Sequence, residues 1–246
     1  MIPNPINSIL VTGATGSFGQ SFVRFLLTYT QVDRICVFSR GEHAQAQLRD
    51  AIGDSPLVRY MVGDVRDLAR LTRACRGCDT VIHAAALKRI ETGAYNPDEM
   101  VKTNAVGAMN VVAAARAAHV DRVVALSTDK AFQPVANAYG LSKALMETII
   151  LSANDAAAPG DPVFSVTRYG NIFGSTGSVL PKWLEIIART GRRVVPTTDP
   201  LCTRFFMTLP EAVDLVASTI VHAKGGEVAV PTLPAYRLGD LAEALD

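Results

Sequence analysis

Cysteine is scarce in this chain. Four cysteines (Cys36, Cys75, Cys78 and Cys202) among 246 residues are too few for a disulfide scaffold. Cys75 and Cys78 form a C-x-x-C, but no second pair and no histidine cluster accompanies it. A metal or redox centre is therefore not expected, and the thiols read as helix-end and core residues. A surplus of one charge is also missing. Twenty-four basic and 23 acidic residues leave a formal net charge of +1. That balance calls for neither nucleic acid nor an anionic membrane as partner, though a local basic patch can still take a phosphate. No apolar run approaches the roughly 20 residues needed to span a bilayer. The opening Met1-Ile2-Pro3-Asn4-Pro5 has neither the basic nor the apolar segment of a secretory signal, so a cytoplasmic location is the expectation. No repeat or low-complexity linker marks a domain boundary.

What is present is apolar substance: 49% of residues are hydrophobic and 19% charged, enough for an extensive core. Short β-branched runs at 8–12, 34–39, 58–62, 80–84, 122–127 and 163–167 alternate with helical patterns at 18–29, 42–51, 67–75, 97–118 and 139–154. Strands with little polar alternation suit a parallel sheet covered on both faces. The β-α-β order predicts an α/β fold with a doubly wound parallel Rossmann sheet. After residue 167 the regularity fades into loops, helices near 180–190, 210–222 and 238–245, and a strand near 227–230. We expect a cofactor domain over 1–167 and a small C-terminal substrate cap over 168–246, part of which returns to the sheet.

The first strand runs into Thr12-Gly13-Ala14-Thr15-Gly16-Ser17-Phe18-Gly19. Glycines without Cβ atoms let the backbone turn and approach a pyrophosphate, which the next helix meets with free N–H groups and its positive end. Gly13, Thr15, Gly16, Ser17, Phe18 and Gly19 are thus expected at a dinucleotide. Strand two ends in Ser39-Arg40 without the acid that usually holds an adenosine ribose. Arg40 can pair with a 2′-phosphate, so NADP(H) is expected over NAD; the alternative is a solvated loop cation. Asp64, beside Val65, either accepts from the adenine amino group or caps the next helix. Ala84, Ala85 and Ala86 are small enough for a cofactor to lie close to the backbone. His83 reads as a core histidine.

Thr128-Asp129-Lys130 ends the fifth strand, and Tyr139 and Lys143 share one face of the helix that follows. An ammonium near a phenol favours the phenolate and makes a usable base. Thr128 can hold a substrate hydroxyl beside it. Asp129 beside Lys130 suits an elimination, and the alternative is a surface ion pair.

Longer blocks then carry a resemblance: Gly63-Asp64-Val65-Arg66-Asp67, His83-Ala84-Ala85-Ala86-Leu87-Lys88, Tyr95-Asn96-Pro97, Lys102-Thr103-Asn104, Leu126-Ser127-Thr128-Asp129-Lys130, Arg168-Tyr169-Gly170-Asn171 and Thr203-Arg204-Phe205. Spread over nearly the whole chain, they resemble the UDP-N-acetylglucosamine 4,6-dehydratases, the polysaccharide-biosynthesis branch of the extended short-chain dehydrogenases/reductases. The resemblance implies oxidation of a nucleotide-linked sugar at carbon 4, loss of water across carbons 5 and 6, and hydride return. It implies that Lys130 takes the carbon-5 proton and that Asp129 assists the leaving hydroxyl. It also implies that Lys88, Asn171 and Arg204 meet the substrate, that Asn104 belongs to the cofactor site, and that a homo-oligomer is to be expected.

Three features depart from that pattern. Lys130 and Tyr139 stand nine positions apart, one more than in the family, so the loop between them should bulge. Thr176 stands where relatives carry arginine. The sequence stops near Asp246, where family members continue, which admits either a truncated chain or a smaller cap, and with the latter a smaller nucleotide substrate. A 4-epimerase or 4-ketoreductase, using Tyr139 and Lys143 without the Asp129–Lys130 pair, stays open as an alternative, as does a non-catalytic NADP(H) sensor.

Overall fold

A computed structural model describes residues 7–132, 137–175, 178–192, 194–197 and 199–245. Strands and helices alternate through β1 (Ser8–Thr12), α1 (Ser17–Tyr29), β2 (Arg34–Ser39), α2 (Glu42–Ile52), β3 (Val58–Val62), α3 (Leu68–Cys75) and β4 (Thr80–His83). Next come α4 (Ile90–Tyr95), α5 (Pro97–Val101), α6 (Gly107–Ala117), β5 (Arg122–Thr128), α7 (Ala138–Ser152) and β6 (Val163–Tyr169). The remainder is β7 (Asn171–Ile172), α8 (Val179–Thr190), β8 (Thr203–Met207), α9 (Leu209–His222), β9 (Val228–Ala229), β10 (Ala235–Arg237) and α10 (Leu238–Glu243).

Seven strands form one parallel sheet in the order β3-β2-β1-β4-β5-β6-β9. Every residue of β1 is buried, as expected for a strand with helices on both faces. Leu71, Val111 and Met146 belong to the core on one face; Phe22, Leu26 and Val213 belong to the core on the other. The order reverses between β1 and β4, and such a switch opens a crevice at the strands' carboxyl ends. Local signals fix the helix starts. Asp67 caps α3 through the Arg70 amide, Asn137 caps α7 through the Gly140 amide, and Thr208 with Glu211 closes a capping box on α9.

The structure corrects several expectations. The single helix expected over 97–118 is broken by a π turn at Lys102–Val106, whose extra residue per turn buries Thr103, Asn104 and Ala105 consecutively. Helix α4 and the strands β7, β8 and β10 were not expected. They are short, and β8 exposes its first three residues, so no apolar periodicity announces them. β10, β8 and β7 make a separate three-stranded sheet. The chain after residue 167 is split between two places, because α9 packs on α1, β5 and β6 while β9 pairs with β6. Thr176 and the middle of the loop between Lys130 and Tyr139 lie outside the described residues.

Cys36, Cys75 and Cys78 are enclosed in one core cluster. Burial pushes the Cys36 and Cys75 thiols up to about 12, so they stay protonated and unreactive at neutral pH. No helix among the described residues is long and apolar enough to cross a membrane.

Candidate active site

A cleft of about 1010 Å³ opens along the carboxyl ends of the parallel strands, at the point where their order reverses. One wall is the β1–α1 turn. Gly13 has φ +67, and a Cβ there would stand 2.7 Å from the Ala85 backbone nitrogen. A Cβ on Gly19 would stand 2.5 Å from Ala14 Cα. The turn is therefore pressed against the β4 end and onto its own helix, leaving no room for side chains at these two positions. That is a cradle shaped for a group that reads backbone, with the start of α1 directed at it.

Thr15, Gly16, Ser17 and Phe18 line the same wall, with Ser39, Arg40, Asp64 and Val65 beyond them and Ala84, Ala85 and Ala86 opposite. Asp64 does not cap α3, which Asp67 does. It accepts from the Arg66 amide at 3.0 Å and the Arg66 guanidinium at 2.7 Å, with Arg40 4.0 Å away. Burial alone would raise its pKa, but the Arg66 hydrogen bonds and the two cations outweigh it and hold the carboxyl below its usual range.

His83 is a core residue. Its Nδ1 lies 2.9 Å from Thr12 Oγ1, and that oxygen accepts the Ala85 amide at 3.3 Å. Thr12 can thus give its proton to Nδ1, which leaves the hydrogen on Nε2. The arrangement ties the end of β1 to the chain after β4. Enclosure, with the nearby Lys143 charge, pushes the His83 pKa down to about 3. An unfolded histidine titrates near 6.5, so between these values the unfolded chain holds a proton that the native one lacks. Stability should therefore fall as pH drops from about 6.5 toward 3, by up to about 1.4 kcal/mol per pH unit from this group. Urea unfolding across that range should show the slope, and His83→Gln should flatten it. A variant as acid-sensitive as the wild type would mean that His83 is not held neutral.

The other wall carries the ionisable cluster. Thr128 Oγ1 donates to Asp129 Oδ1 at 2.9 Å, and Lys130 Nζ donates to the same oxygen at 2.9 Å. Asn171 Oδ1 accepts from Lys130 Nζ at 3.3 Å, while Asn171 Nδ2 donates to the Phe205 carbonyl at 3.1 Å. The small sheet thus holds the catalytic lysine candidate. Tyr139 is deeply set. Burial raises its pKa, a hydrogen bond with Thr128 lowers it, and the Asp129 charge raises it again. Lys143 is 4% exposed and donates to the Leu126 carbonyl at 2.5 Å; burial pushes it down to about 8 against the opposing charge of Glu147. Lys88 and Arg204 line the outer part of the cleft. Desolvation and the neighbouring Arg89 lower Lys88 from its ordinary value. Lys182 and Glu91, 3.5 Å apart, join α8 to α4 across the mouth.

Three expectations are corrected. Asn104 does not line the cleft; it is 1% exposed and brackets Leu87 through that residue's N–H and carbonyl, while also donating to Ser142. It holds the loop after β4 against α7. Asp129 likewise stands behind Thr128 and Lys130 rather than in the cleft wall. Lys143 does not depress the Tyr139 pKa here, because its amine is turned to Leu126 and burial governs the phenol. The sequence reading also missed Tyr169 and Tyr236, which line the cleft. Tyr169 is buried beside Tyr139, and its phenol is strongly raised by burial and by that neighbour. Its sequence signals are its place at the end of β6 and within the Arg168-Tyr169-Gly170-Asn171 block.

The profile of the family described as "Polysaccharide biosynthesis protein" matches residues 9–246. The chain belongs to that family. Within it, a "UDP-N-acetylglucosamine 4,6-dehydratase (inverting)" of Campylobacter jejuni subsp. jejuni serotype O:2 is 42% identical over 238 residues, covering 97% of this chain and 70% of the relative. A "UDP-glucose 4-epimerase" of Rickettsia conorii is 41% identical over 241 residues, with the same coverage. The solved structure of Pen from Bacillus thuringiensis superposes with a TM-score of 0.93 at 35% identity, covering 97% of this chain and 75% of that one. The dTDP-glucose 4,6-dehydratase DesIV of Streptomyces venezuelae, solved with NAD and TYD bound, reaches a TM-score of 0.86 at 23% identity, covering 97% and 80%; that likeness concerns the fold. The resemblance of the residue blocks to the UDP-N-acetylglucosamine 4,6-dehydratases of the polysaccharide-biosynthesis type is borne out.

Proposed function

We propose that this protein is a nucleotide-sugar 4,6-dehydratase acting on UDP-N-acetylglucosamine or a closely related nucleotide-linked sugar. The observation that carries the reading is the convergence, in one cleft, of a phenol-amine pair (Tyr139, Lys143) with a second amine, Lys130, held by Asp129 and Asn171. A 4-epimerase needs only the first pair. The epimerase-named relatives keep that second reading alive, and the fixed Lys130 argues against it.

The cradle at Gly13, Gly16 and Gly19 fits a nicotinamide dinucleotide, which Thr15, Ser17 and Phe18 would flank. That cofactor, when bound, supplies a hydride acceptor for carbon 4 and a donor for carbon 6. Tyr139 takes the proton of the 4-hydroxyl while Thr128 holds that oxygen. For that Tyr139 must first give up its own proton to solvent, and the Lys143 charge offsets the phenolate this leaves. A 4-keto group acidifies the carbon-5 proton, which Lys130 accepts once its ammonium has passed a proton to Asp129. Asp129, hydrogen-bonded to both Thr128 and Lys130, stands behind them and passes that proton through the Thr128 hydroxyl to the departing 6-hydroxyl, which leaves as water. Lys88 and Arg204 face the diphosphate. We assign the substrate cap to the small sheet with α8 and α10.

Incubation with UDP-N-acetylglucosamine tests the reading. A product lighter by one water, with no net build-up of reduced cofactor, is expected. An isomer of unchanged mass would replace dehydration with epimerisation.

NADP(H) is the cofactor form we favour, because β2 ends in Ser39-Arg40 with no acid to hold a ribose 2′-hydroxyl and Arg40 stands in the cleft wall. Arg40→Ala should weaken NADPH binding by about 10–100-fold, the worth of one or two charge-assisted hydrogen bonds, and leave NADH nearly unchanged. Equal losses for both in a fluorescence titration would refute this assignment.

A further inference from the structure

One buried acid near the reacting groups has no part in the chemistry above. Glu147 lies one helical turn beyond Lys143 on α7, at the i,i+4 spacing that stacks side chains on one face, and it is 6% exposed. Arg168, at the end of β6, grips it with two parallel bonds, Nε to Oε1 at 3.0 Å and Nη2 to Oε2 at 2.5 Å. The Arg168 guanidinium in turn lies 5.6 Å from the Phe132 ring centre. The carboxylate is therefore fixed in place by a bidentate ion pair.

We propose that Glu147 is a positioning residue for the reaction: clamped by Arg168, it supplies the fixed negative charge that keeps the enclosed Lys143 amine protonated. This rests on the reading of Lys143 as the amine that works with Tyr139. A lysine removed from water otherwise sheds its proton, and the carbonyl of Leu126 brings a dipole rather than a full charge. Glu147 is the opposing influence on Lys143.

The other ionisable groups around Lys143 do not do this work. From β4 comes His83, held neutral. β6 brings Tyr169, a protonated phenol, and Arg168, which is bound to Glu147. The turn after β5 brings Asp129 and Lys130, whose side chains are 26% and 31% exposed. Tyr139, on α7 itself, is protonated by burial. On the α5 side, Lys102 is exposed and tied to Asp98 and Glu99. On α4, Glu91 is exposed and pairs with Lys182. Among the described residues this leaves Glu147 as the enclosed acid on the lysine's own face.

The test titrates Lys143 directly by NMR of 13Cε-labelled lysine, assigned with Lys143→Met, in the wild type, Glu147→Gln, and the double variant Glu147→Gln/Arg168→Gln. The double variant removes the cation that the single one orphans, so folding damage is relieved while the missing acid is not. The Lys143 midpoint should fall by about one pH unit or more in Glu147→Gln and stay below the wild type in the double variant. The alkaline limb of turnover should move down with it. A purely structural role would lower thermal stability in the single variant, recover it in the double, and leave the midpoint where it was. A Lys143 midpoint equal to that of the wild type in whichever variant folds overturns the proposal. The NMR result does not depend on turnover. If the midpoint moves while the wild type dehydrates no nucleotide sugar, the functional reading fails and this one stands.

Discussion

Lys130→Ala should start the reaction and fail to finish it. Carbon-4 oxidation asks for Tyr139, Thr128, Lys143 and the dinucleotide cradle, while the Lys130 side chain hydrogen-bonds to Asp129 and Asn171. Without the amine nothing is placed to accept the carbon-5 proton, so reduced cofactor should accumulate on the protein. Its near-ultraviolet absorbance should rise with added nucleotide sugar and not decay. Release of the dehydrated product should drop by ~10²–10⁴-fold, the usual worth of a placed proton acceptor. Stability should change little, because the Lys130 side chain is 31% exposed and its ion pair with Asp129 is between chain neighbours. Dehydration at the wild-type rate would remove Lys130 from the mechanism.

Gly13→Ala should damage both cofactor binding and stability. The substitution forces a side chain into φ +67 and places its Cβ 2.7 Å from the Ala85 nitrogen, 2.8 Å from the Ala84 carbonyl carbon and 2.8 Å from Ala85 Cα. All three are backbone atoms of the opposite cleft wall and cannot swing aside. The left-handed conformation costs roughly 1–2 kcal/mol, and overpacking adds about 1–3 kcal/mol. For a chain of this size the melting temperature should fall by roughly 5–15 °C. Affinity for the dinucleotide should fall more than 100-fold, because the β1–α1 turn and the Ala84–Ala85 wall must part to make room. Calorimetry and cofactor titration read the two effects separately. Gly53→Ala is the control: its φ is +71, yet a Cβ there meets nothing within 4 Å, so it should show strain without the loss of binding. If Gly13→Ala binds cofactor normally, the proposed cradle is in the wrong place.

The strand-helix alternation was legible because each early element carries its own signal. β1 and β2 are apolar runs, and the glycines at 13, 16 and 19 sit between a strand and a helix. Thr128, Lys130, Tyr139 and Lys143 were legible as a group because they cluster at one strand end and one helix start. Asn104 was read as a cofactor contact and proved to be a bracket, since its role depends on the π turn and on Leu87, 17 residues away. Asn171 looks like an independent polar residue in the sequence, whereas Asp129 adjoins Lys130. Only folding brings Asn171 to Lys130 across 41 positions. Glu147 had a visible helical spacing to Lys143, but nothing in the sequence marks Arg168 as the group that holds it.

By itself the sequence determined the parallel sheet and the glycine turn after its first strand, and named the candidate reactive side chains, because these are read from hydrophobic periodicity, the backbone freedom of glycine and residue types within a few neighbouring positions. The tertiary structure decided which of those side chains face the cleft, which are turned to backbone partners, and which charges are desolvated. Those outcomes depend on contacts between segments 17 to 41 residues apart. Burial, unlike local pattern, is a property of everything that surrounds a group.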